Sequence, residues 1–292
     1  IMAGGVGSRF WPYSKSSKPK QFLDVLGTGR TLLQMTFDRF REIAPAEQFY
    51  VVTNQAHAGL VSEQLPELLD HQILAEPLRK NTAACLAYAA YKISNLDPNA
   101  TMVVAPADHL ILQEGRFLQT LVTSIAAAQV HNRLLTIGIK PNRPETGYGY
   151  IQYLQNEEDK EVLKVKTFTE KPNAKLATTF LESGDFVWNS GMFVWKVESL
   201  IQAFRKYMPD LADVFEEGKS QFGTSTELGF IAAAYTTLKN ISIDYGIMEK
   251  SDQVFVVLGD FGWSDIGSWQ SLHELREKDD QNNVVEANAL LY

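Results

Sequence analysis

The sequence predicts an α/β domain with a mixed, mostly parallel central sheet flanked by helices. In the first half of the chain, short apolar runs rich in β-forming residues alternate with segments of helical periodicity. Such alternation requires crossover connections, which leave neighbouring strands parallel and place helices on both faces of the sheet. After Gly138, two strand patterns follow each other across a charged turn, so we expect antiparallel pairs in the second half.

Each predicted strand is an apolar run bounded by polar or turn residues. In chain order these runs are residues 49–53, 72–77, 101–109, 134–139, 148–154, 162–170 and 187–195. The predicted helices carry apolar side chains at helical spacing, and they are residues 31–43, 81–94, 197–207 and 227–238. Asn81 is placed to cap the second helix. The opening Ile-Met-Ala is typical of the last residues of a strand, so we expect strand residues before Ile1.

Composition and charge exclude several classes of function. The chain has 292 residues, of which 45% are hydrophobic and 21% are charged, and this composition is globular rather than disordered. With a net charge of -8, the chain lacks the broad positive field of a nucleic-acid-binding surface. Any bound phosphate must therefore be met by a few individual cations. No apolar run reaches the roughly 18 residues of a membrane span. The single cysteine, Cys85, lies in an apolar run, which predicts a buried side chain and favours a reducing, cytoplasmic setting.

The chain shows no internal repeat, low-complexity tract or Gly/Ser linker, and this predicts one domain over residues 1–280. Residues 284–292 are strand-like, and we expect residues 281–292 to begin a β-rich C-terminal segment. Both ends are abrupt, so we expect the first strand and this last segment to be truncated.

A segment near the start, GGVGSRFWPYSKSSKPKQF, combines glycines and cations in a chain that is otherwise acidic. In a parallel sheet the loop after the first strand is the usual phosphate site, because glycine lets backbone N–H groups approach phosphate oxygens. A P-loop is excluded, since Ser8-Arg9 follows Gly7 where lysine and a hydroxyl are required. Gly5 and Gly7 begin a dinucleotide pattern, but Phe10 stands where a small residue is needed, and Asp24 precedes the second strand. A glycine turn with solvated cations stays open on the loop alone.

The rest of the segment favours another interpretation. Gly4-Gly5-Val6-Gly7-Ser8-Arg9, followed by Trp11-Pro12 and Lys18-Pro19-Lys20-Gln21-Phe22, resembles the signature of the sugar-1-phosphate nucleotidylyltransferases. Its Trp-Pro and Pro-Lys-Gln-Phe variants are most similar to the branch that transfers guanylyl groups to mannose 1-phosphate. The resemblance implies a Rossmann-like nucleotidyltransferase domain in which Arg9 and Lys20 meet the phosphates of a nucleoside triphosphate. One forked and one point cation suit that task.

Two aspartates offer ligands for the divalent cation that joining two highly charged phosphates requires. Asp108 follows the apolar run TMVVAPA, and Asp265 lies in GWSDIGSW between aromatic and small residues. An aspartate after a strand more often caps a helix, so neither residue carries the inference alone. Both segments resemble the family's two metal-binding aspartates, which implies that Mg²⁺ is held by Asp108 and Asp265.

The resemblance also implies a set of nucleotide contacts. They are Ala3, Gly4, Gly5, Gly7, Ser8, Arg9, Lys20, Asn81, Thr82, Pro106 and Asp108. Asn81 and Thr82 follow Glu76-Pro77 in a segment that resembles the branch's base-binding region, where a polar pair and backbone groups would read one edge of guanine. Helix capping by Asn81 explains the same residue without a ligand.

The hexose side has its own candidates. Glu170-Lys171-Pro172 resembles an element whose carboxylate accepts from sugar hydroxyls and whose lysine approaches the sugar phosphate. Thr146-Gly147-Tyr148-Gly149 and Asn189-Ser190-Gly191 resemble segments that grip the hexose. Asp244 lies in a segment similar to the mannose-specific branch, although a place in the first turn of a helix would also explain it. The implied sugar contacts are Gly147, Glu170, Lys171, Asn189 and Asp244.

These segments follow the family's order along nearly the whole chain. The resemblance implies an enzyme that joins GTP and mannose 1-phosphate into GDP-mannose and pyrophosphate; its catalytic residues are Arg9, Lys20, Asp108, Lys171 and Asp265. A phosphate monoester is already nucleophilic near pH 7, so no general base and no covalent intermediate are expected. The same chemistry on another base or hexose stays open, as does a regulatory homologue that only binds a sugar nucleotide. A homodimer is a further expectation.

Overall fold

The computed structural model describes residues 1–5, 7, 10–130, 132–155 and 160–285. Its strands are β1 (Val51–Asn54), β2 (Ile73–Glu76), β3 (Thr101–Val104), β4 (Leu110–Ile111), β5 (Leu134–Ile139), β6 (Tyr150–Tyr153), β7 (Val162–Thr169), β8 (Phe186–Lys196), β9 (Val254–Gly259) and β10 (Trp263–Ser264). Its helices are α1 (Leu32–Arg41), α2 (Ala58–Gln64), α3 (Asn81–Leu96), α4 (Glu114–Ala128), α5 (Ala174–Ser183), α6 (Val197–Tyr207), α7 (Pro209–Glu217), α8 (Glu227–Thr237) and α9 (Trp269–Leu275). Strands and helices alternate up to β5, except that β4 follows β3 directly, and β6 and β7 then follow β5 without a helix.

The main sheet has six strands in the order β3-β8-β5-β9-β7-β6, and β8 also pairs with β6. Strands β5 and β9 are parallel, whereas β8 runs antiparallel to both β3 and β5. Strands β1 and β2 form a parallel pair, and Met2 joins this pair to the main sheet through parallel bridges with Val52 and Pro106. The chain start is therefore strand-like, and the predicted α/β fold with a mixed sheet is confirmed. The expectation of a mostly parallel sheet is wrong for these six strands, because only β5 and β9 pair in parallel and the long strand β8 runs antiparallel to β3, β5 and β6.

Apolar side chains pack on both faces of this sheet. On one face, Tyr88 of α3 and Phe204 of α6 pack with Trp195 of β8. On the other, Phe37 of α1 and Phe117 of α4 belong to the cluster that covers β5. Burying each large side chain contributes roughly 1.5–3 kcal/mol, so the two layers fix the strand ends from which the loops depart.

The starts of α1 and α3 are capped differently, and the second corrects an expectation. At α1, the Thr31 hydroxyl accepts from the Gln34 N–H, and the Gln34 side chain accepts from the Thr31 N–H, which is a capping box. At α3, the capping role predicted for Asn81 is wrong, because the cap position belongs to Lys80. Asn81 has φ +66, and its Oδ1 instead accepts from the adjacent Thr82 N–H at 2.9 Å.

Other predictions concern single residues and the chain end. Cys85 is buried and free, as predicted. Within the described ranges, no helix is both long and apolar enough to span a bilayer. Residues 281–285 contain no strand, and residues 286–292 lie outside the described part, so the β-rich C-terminal segment stays a prediction.

Candidate active site

The glycine loop folds back on the short 3-10 helix Lys20–Phe22. Gly7 has φ +60, and a Cβ at this position would lie 2.7 Å from the backbone nitrogen of Lys20. Only glycine therefore allows the loop to pass this close. Ser8 and Arg9, both predicted nucleotide contacts, lie outside the described residues.

The Lys20 ammonium lies at the centre of the site, and only 4% of the residue is exposed. It pairs with Asp108 Oδ2 at 2.9 Å and donates to the backbone carbonyls of Asp265 and Ile266 at 2.7 and 3.0 Å. All three ammonium hydrogens therefore have acceptors. Lys20 thus connects the glycine loop to two segments that are distant in sequence.

Two short strands bring Asp108 and Asp265 to the same place. β4 begins two residues after Asp108, β10 ends one residue before Asp265, and the two strands pair antiparallel. Both aspartates line a cavity of about 220 Å³, and its lining residues are Gly7, Phe10, Lys20, Asp108, His109, Asp265 and Gly267. The fold thus brings the loop and both predicted carboxylates around one cavity.

The two carboxylates have different partners. Burial alone would raise the pKa of Asp108, but opposing charges, led by the Lys20 ammonium, hold this pKa below its usual value. Asp265 Oδ1 accepts from the Tyr148 hydroxyl at 2.7 Å and from the Gly267 N–H at 2.9 Å. One carboxylate is therefore paired with a cation, and the other is held by neutral donors.

An aromatic group lies beside the cavity. The Trp263 Nε1–H donates to His109 Nδ1 at 3.2 Å, and the Tyr148 ring contacts both Trp263 and Trp188 with centroid distances of 5.1 and 5.2 Å. Burial lowers the pKa of His109 despite the nearby carboxylates. His109 is therefore neutral near pH 7, and because Nδ1 accepts a hydrogen bond, its proton lies on Nε2.

The predicted contacts Ala3, Gly4 and Gly5 run past two buried side chains. The Gln21 amide donates to the carbonyls of Ala3 and Gly5 at 2.8 and 2.9 Å. Glu76 lies beside Gly4, where an added Cβ would be 3.5 Å from Oε2. The Gln21 hydrogen bonds therefore hold the start of the loop against the 3-10 helix, and the end of β2 lies beside it.

The remaining predicted nucleotide residues lie at two strand or helix ends. Pro106 follows β3 and bridges to Met2. Asn81 is exposed at the start of α3, and the Thr82 hydroxyl accepts from the Ile243 N–H at 2.9 Å. Thr82 therefore ties the start of α3 to the segment that leads into Asp244.

A second polar group surrounds Asn189 of β8. Its Nδ2 donates to Asp244 Oδ1 at 2.9 Å, and its Oδ1 accepts from the Thr136 hydroxyl at 3.0 Å and the Gly191 N–H at 3.1 Å. Burial raises the pKa of Asp244, although hydrogen bonds oppose this shift. Asp244 is also the first residue of a short π-helix, Asp244–Met248. It therefore both starts a helix and contacts Asn189, a predicted sugar contact.

Glu170 and Lys171, which follow β7, lie against the same group. The Glu170 side chain is 6% exposed and pairs with the Lys171 ammonium. A Cβ at Gly149 would lie 2.6 Å from Glu170 Oε2 and 3.4 Å from Asn189 Cβ. Glycine at this position therefore leaves room for both polar side chains beside the backbone. The N–H of Gly147 already donates to a carboxylate of its own loop, at 3.0 Å.

Sequence reasoning missed the aromatic residues that contact these groups. Tyr148 lies in a segment singled out for its glycines, and Trp263 precedes Asp265 by two residues. The aromatic residues around Asp265 were a visible signal, but the pairing of β4 with β10, which places Trp263 beside His109, was not.

The donor set of the cavity determines whether it fits a divalent cation. The described residues hold no group of three or more His, Cys, Asp and Glu side chains arranged as a metal site. Asp108 and Asp265 supply two carboxylates to one cavity, and carboxylate oxygens are ligands that Mg²⁺ prefers. Two carboxylates fit an ion that takes its other ligands from water and phosphate.

Three comparisons relate this chain to known proteins. The family model described as Nucleotidyl transferase matches residues 1–282. Mannose-1-phosphate guanylyltransferase of Escherichia coli is 39% identical over 295 residues, covering 98% of this chain and 62% of that protein. The crystal structure described as mannose-1-phosphate geranyltransferase from Thermus thermophilus has a TM-score of 0.85 at 32% identity, covering 95% of this chain and 78% of that one. The structure described as mannose-6-phosphate isomerase from Helicobacter pylori has a TM-score of 0.70 at 28% identity, covering 85% and 95%.

The matches cover nearly all of this chain but only part of the curated relatives. This chain spans only 60% to 62% of the length of the first curated relatives it matches. The family match nevertheless includes the glycine loop, both aspartates and the group around Asn189. The chain belongs to the nucleotidyl transferase family.

Proposed function

We propose that residues 1–280 form a catalytic domain that transfers a guanylyl group from GTP to mannose 1-phosphate, giving GDP-mannose and pyrophosphate. The observation that carries this proposal is the convergence of Lys20, Asp108 and Asp265 on one cavity beside the glycine loop. The name of the Escherichia coli relative supports the choice of guanylyl group and mannose 1-phosphate.

The chemistry needs charge and alignment rather than proton transfer. The second pKa of a phosphate monoester is about 6, so the sugar phosphate oxygen is a competent nucleophile near pH 7. In-line attack on the α-phosphate breaks its bond to the β-phosphate and releases pyrophosphate. Lys20, with Arg9, stabilises the negative charge that develops on the departing pyrophosphate. To reach it, the Lys20 ammonium exchanges one of its three present acceptors for a phosphate oxygen.

Asp108 and Asp265 are the residues that would hold Mg²⁺. When bound, this ion neutralises phosphate charge and draws the two substrates together. Asp108 is suited to the task because its pKa lies below the usual value, so it is ionised at neutral pH.

The group around Asn189 is the proposed hexose site. Glu170, Asn189 and Asp244 offer acceptors and a donor to sugar hydroxyls, and Gly147 lies on the adjoining loop. Lys171 pairs with Glu170 and supplies the cation that steers the sugar phosphate. The proposed nucleotide contacts, besides Arg9, Lys20 and Asp108, remain Ala3, Gly4, Gly5, Gly7, Ser8, Asn81, Thr82 and Pro106.

A substrate panel tests the proposal. Purified protein is mixed with Mg²⁺, each of the four nucleoside triphosphates, and mannose or glucose 1-phosphate, and pyrophosphate release is measured. We expect release above all with GTP and mannose 1-phosphate. Preference for another pair would reassign the base or hexose, and binding of GDP-mannose without turnover of any pair would indicate a regulatory homologue.

The proposal also includes expectations for the oligomeric state and the cellular location of the protein. A homodimer and a cytoplasmic setting are the corresponding expectations, and the single buried cysteine is consistent with a reducing compartment. Light scattering of the purified chain would determine its oligomeric state.

A further inference from the structure

Tyr148 has no role in the reaction described so far, yet it contacts one of the two central carboxylates. Its hydroxyl donates to Asp265 Oδ1 at 2.7 Å, and the Gly267 N–H donates to the same oxygen at 2.9 Å. These two hydrogen bonds occupy Oδ1, and within the described part of the chain no hydrogen bond to Oδ2 is seen. A Cβ at residue 267 would lie 2.5 Å from Oδ2, so glycine at this position keeps that oxygen uncrowded.

The ring of Tyr148 is itself held in place. It meets Trp263 and Trp188 edge to face, with interplanar angles of 68° and 78°. The Trp263 Nε1–H donates to His109 Nδ1, and His109 is the neighbour of Asp108 in sequence. The chain of contacts from His109 through Trp263 to Tyr148 therefore links the segments that carry the two aspartates.

The two aspartates need different support. Asp108 is oriented by the Lys20 ammonium, whereas the hydrogen bonds described for the Asp265 carboxylate come from neutral donors. The terminal torsion of an aspartate is broad, so without a fixed partner the plane of its carboxylate can rotate. A hydroxyl fixed by packed rings selects one orientation.

We propose that Tyr148 is a positioning residue, which fixes the Asp265 carboxylate so that Oδ2 is free to bind the divalent cation, while Trp263 holds the Tyr148 ring in place. The inference rests on the proposed function. Partners that orient a metal ligand typically contribute about 10- to 100-fold to metal affinity.

The test uses Mn²⁺ as the probe on protein saturated with GDP-mannose, and free Mn²⁺ is measured by electron paramagnetic resonance. Tyr148→Phe should weaken Mn²⁺ binding by about 10- to 100-fold. Tyr91→Phe is the matched control, because it removes another buried hydroxyl that lies 3.2 Å from a carboxylate oxygen of Glu216, away from the cavity. The control should bind Mn²⁺ within about twofold of wild type.

A kinetic measurement separates positioning from general damage. In Tyr148→Phe, the half-saturating Mg²⁺ concentration should rise about tenfold or more, while excess Mg²⁺ restores kcat and both substrate KM values stay within about twofold. Wild-type Mn²⁺ affinity in Tyr148→Phe, or a loss of kcat that excess Mg²⁺ does not restore, overturns the inference. Absence of turnover in the wild-type protein would instead overturn the proposed function.

A second variant covers the case in which Tyr148→Phe does not fold. Trp263→Phe keeps an aromatic ring beside Tyr148 but loses the N–H that binds His109. It should weaken Mn²⁺ binding about 3- to 10-fold, which is less than loss of the hydroxyl itself. Unchanged binding in this variant overturns the role given to the ring contacts.

Discussion

Two buried lysine–carboxylate pairs in this chain differ in what surrounds them. Lys92 and Glu227 pair at 2.6 Å, with side chains 8% and 9% exposed. Lys20 and Asp108 pair at 2.9 Å, with side chains 5% and 30% exposed. In the first pair both partners are enclosed, whereas in the second the carboxylate opens onto a cavity.

Their other partners explain the difference. Glu227 also accepts from the Tyr88 hydroxyl and from the Gly223 N–H, so its oxygens are satisfied by the protein itself. Asp108 instead shares its cavity with a second carboxylate, Asp265. A buried ion pair alone is weak evidence of function. A pair in which one charge faces a cavity with further charges is a candidate for ligand binding.

The largest effect is expected at the open pair. Lys20→Ala should lower kcat for pyrophosphate release by about 10³- to 10⁴-fold, because it removes the charge that stabilises the departing group. The free energy of unfolding should fall by about 1–2 kcal/mol, because water in the cavity can hydrate Asp108 and the two backbone carbonyls that lose the ammonium. Steady-state assays and urea unfolding measure the two quantities. Turnover within tenfold of wild type would show that Lys20 has no such role.

The closed pair should respond in the opposite way. Lys92→Ala leaves Glu227 buried without its cation, and this should lower the free energy of unfolding by about 3 kcal/mol. The kcat of the folded fraction should stay within about twofold of wild type, because α3 holds Lys92 away from the cavity lining. Equal losses of kcat in Lys92→Ala and Lys20→Ala would remove the distinction between the pairs.

A third buried carboxylate sharpens the comparison because its described hydrogen bond is to a hydroxyl rather than to a cation. Burial raises the pKa of Glu76 from 4.5 to about 7, although the Tyr235 hydroxyl donates to it. The folded state therefore binds more protons than the unfolded chain, so the stability that Glu76 contributes is fully present below pH 4.5 and is lost as the pH rises through 7.

Glu76→Gln should remove this dependence on pH. The free energy of unfolding of the wild type should fall by about 2 kcal/mol more than that of Glu76→Gln between pH 5 and pH 8. Urea unfolding at several pH values makes the measurement. Parallel curves for the two proteins would mean that Glu76 does not titrate in this range.

The smallest effect is expected in the hexose group. Asn189→Ala removes the donor to Asp244 and should lower kcat/KM for mannose 1-phosphate about tenfold, which corresponds to one hydrogen bond to a charged group. The KM for GTP should be unchanged within about twofold. A change in the GTP constant alone would place Asn189 on the nucleotide side.

The sequence was sufficient for the fold class and for residues whose local pattern determines their place. The alternation of strand and helix predicted the sheet, and the glycine loop predicted where Lys20 would lie. Asp108 could be placed near the end of a strand because it follows a buried apolar run, and it lies in the connection between β3 and β4.

The remaining features depend on contacts between distant residues. The two-residue strands β4 and β10 are too short to show periodicity, yet their pairing brings Asp265 to Asp108. The hydrogen bond from Tyr148 to Asp265 joins residues 117 positions apart. Asn81 illustrates a local error, because its left-handed backbone turns its side chain to the adjacent N–H and away from a capping role.

The most direct test of the central claim is a crystal structure of the protein with GDP-mannose and Mg²⁺. We predict one ion within about 2.0–2.2 Å of a carboxylate oxygen from both Asp108 and Asp265, with the mannose beside Asn189. An ion bound by neither aspartate, with the Lys20–Asp108 pair unchanged and the sugar away from Asn189, would contradict the proposed site.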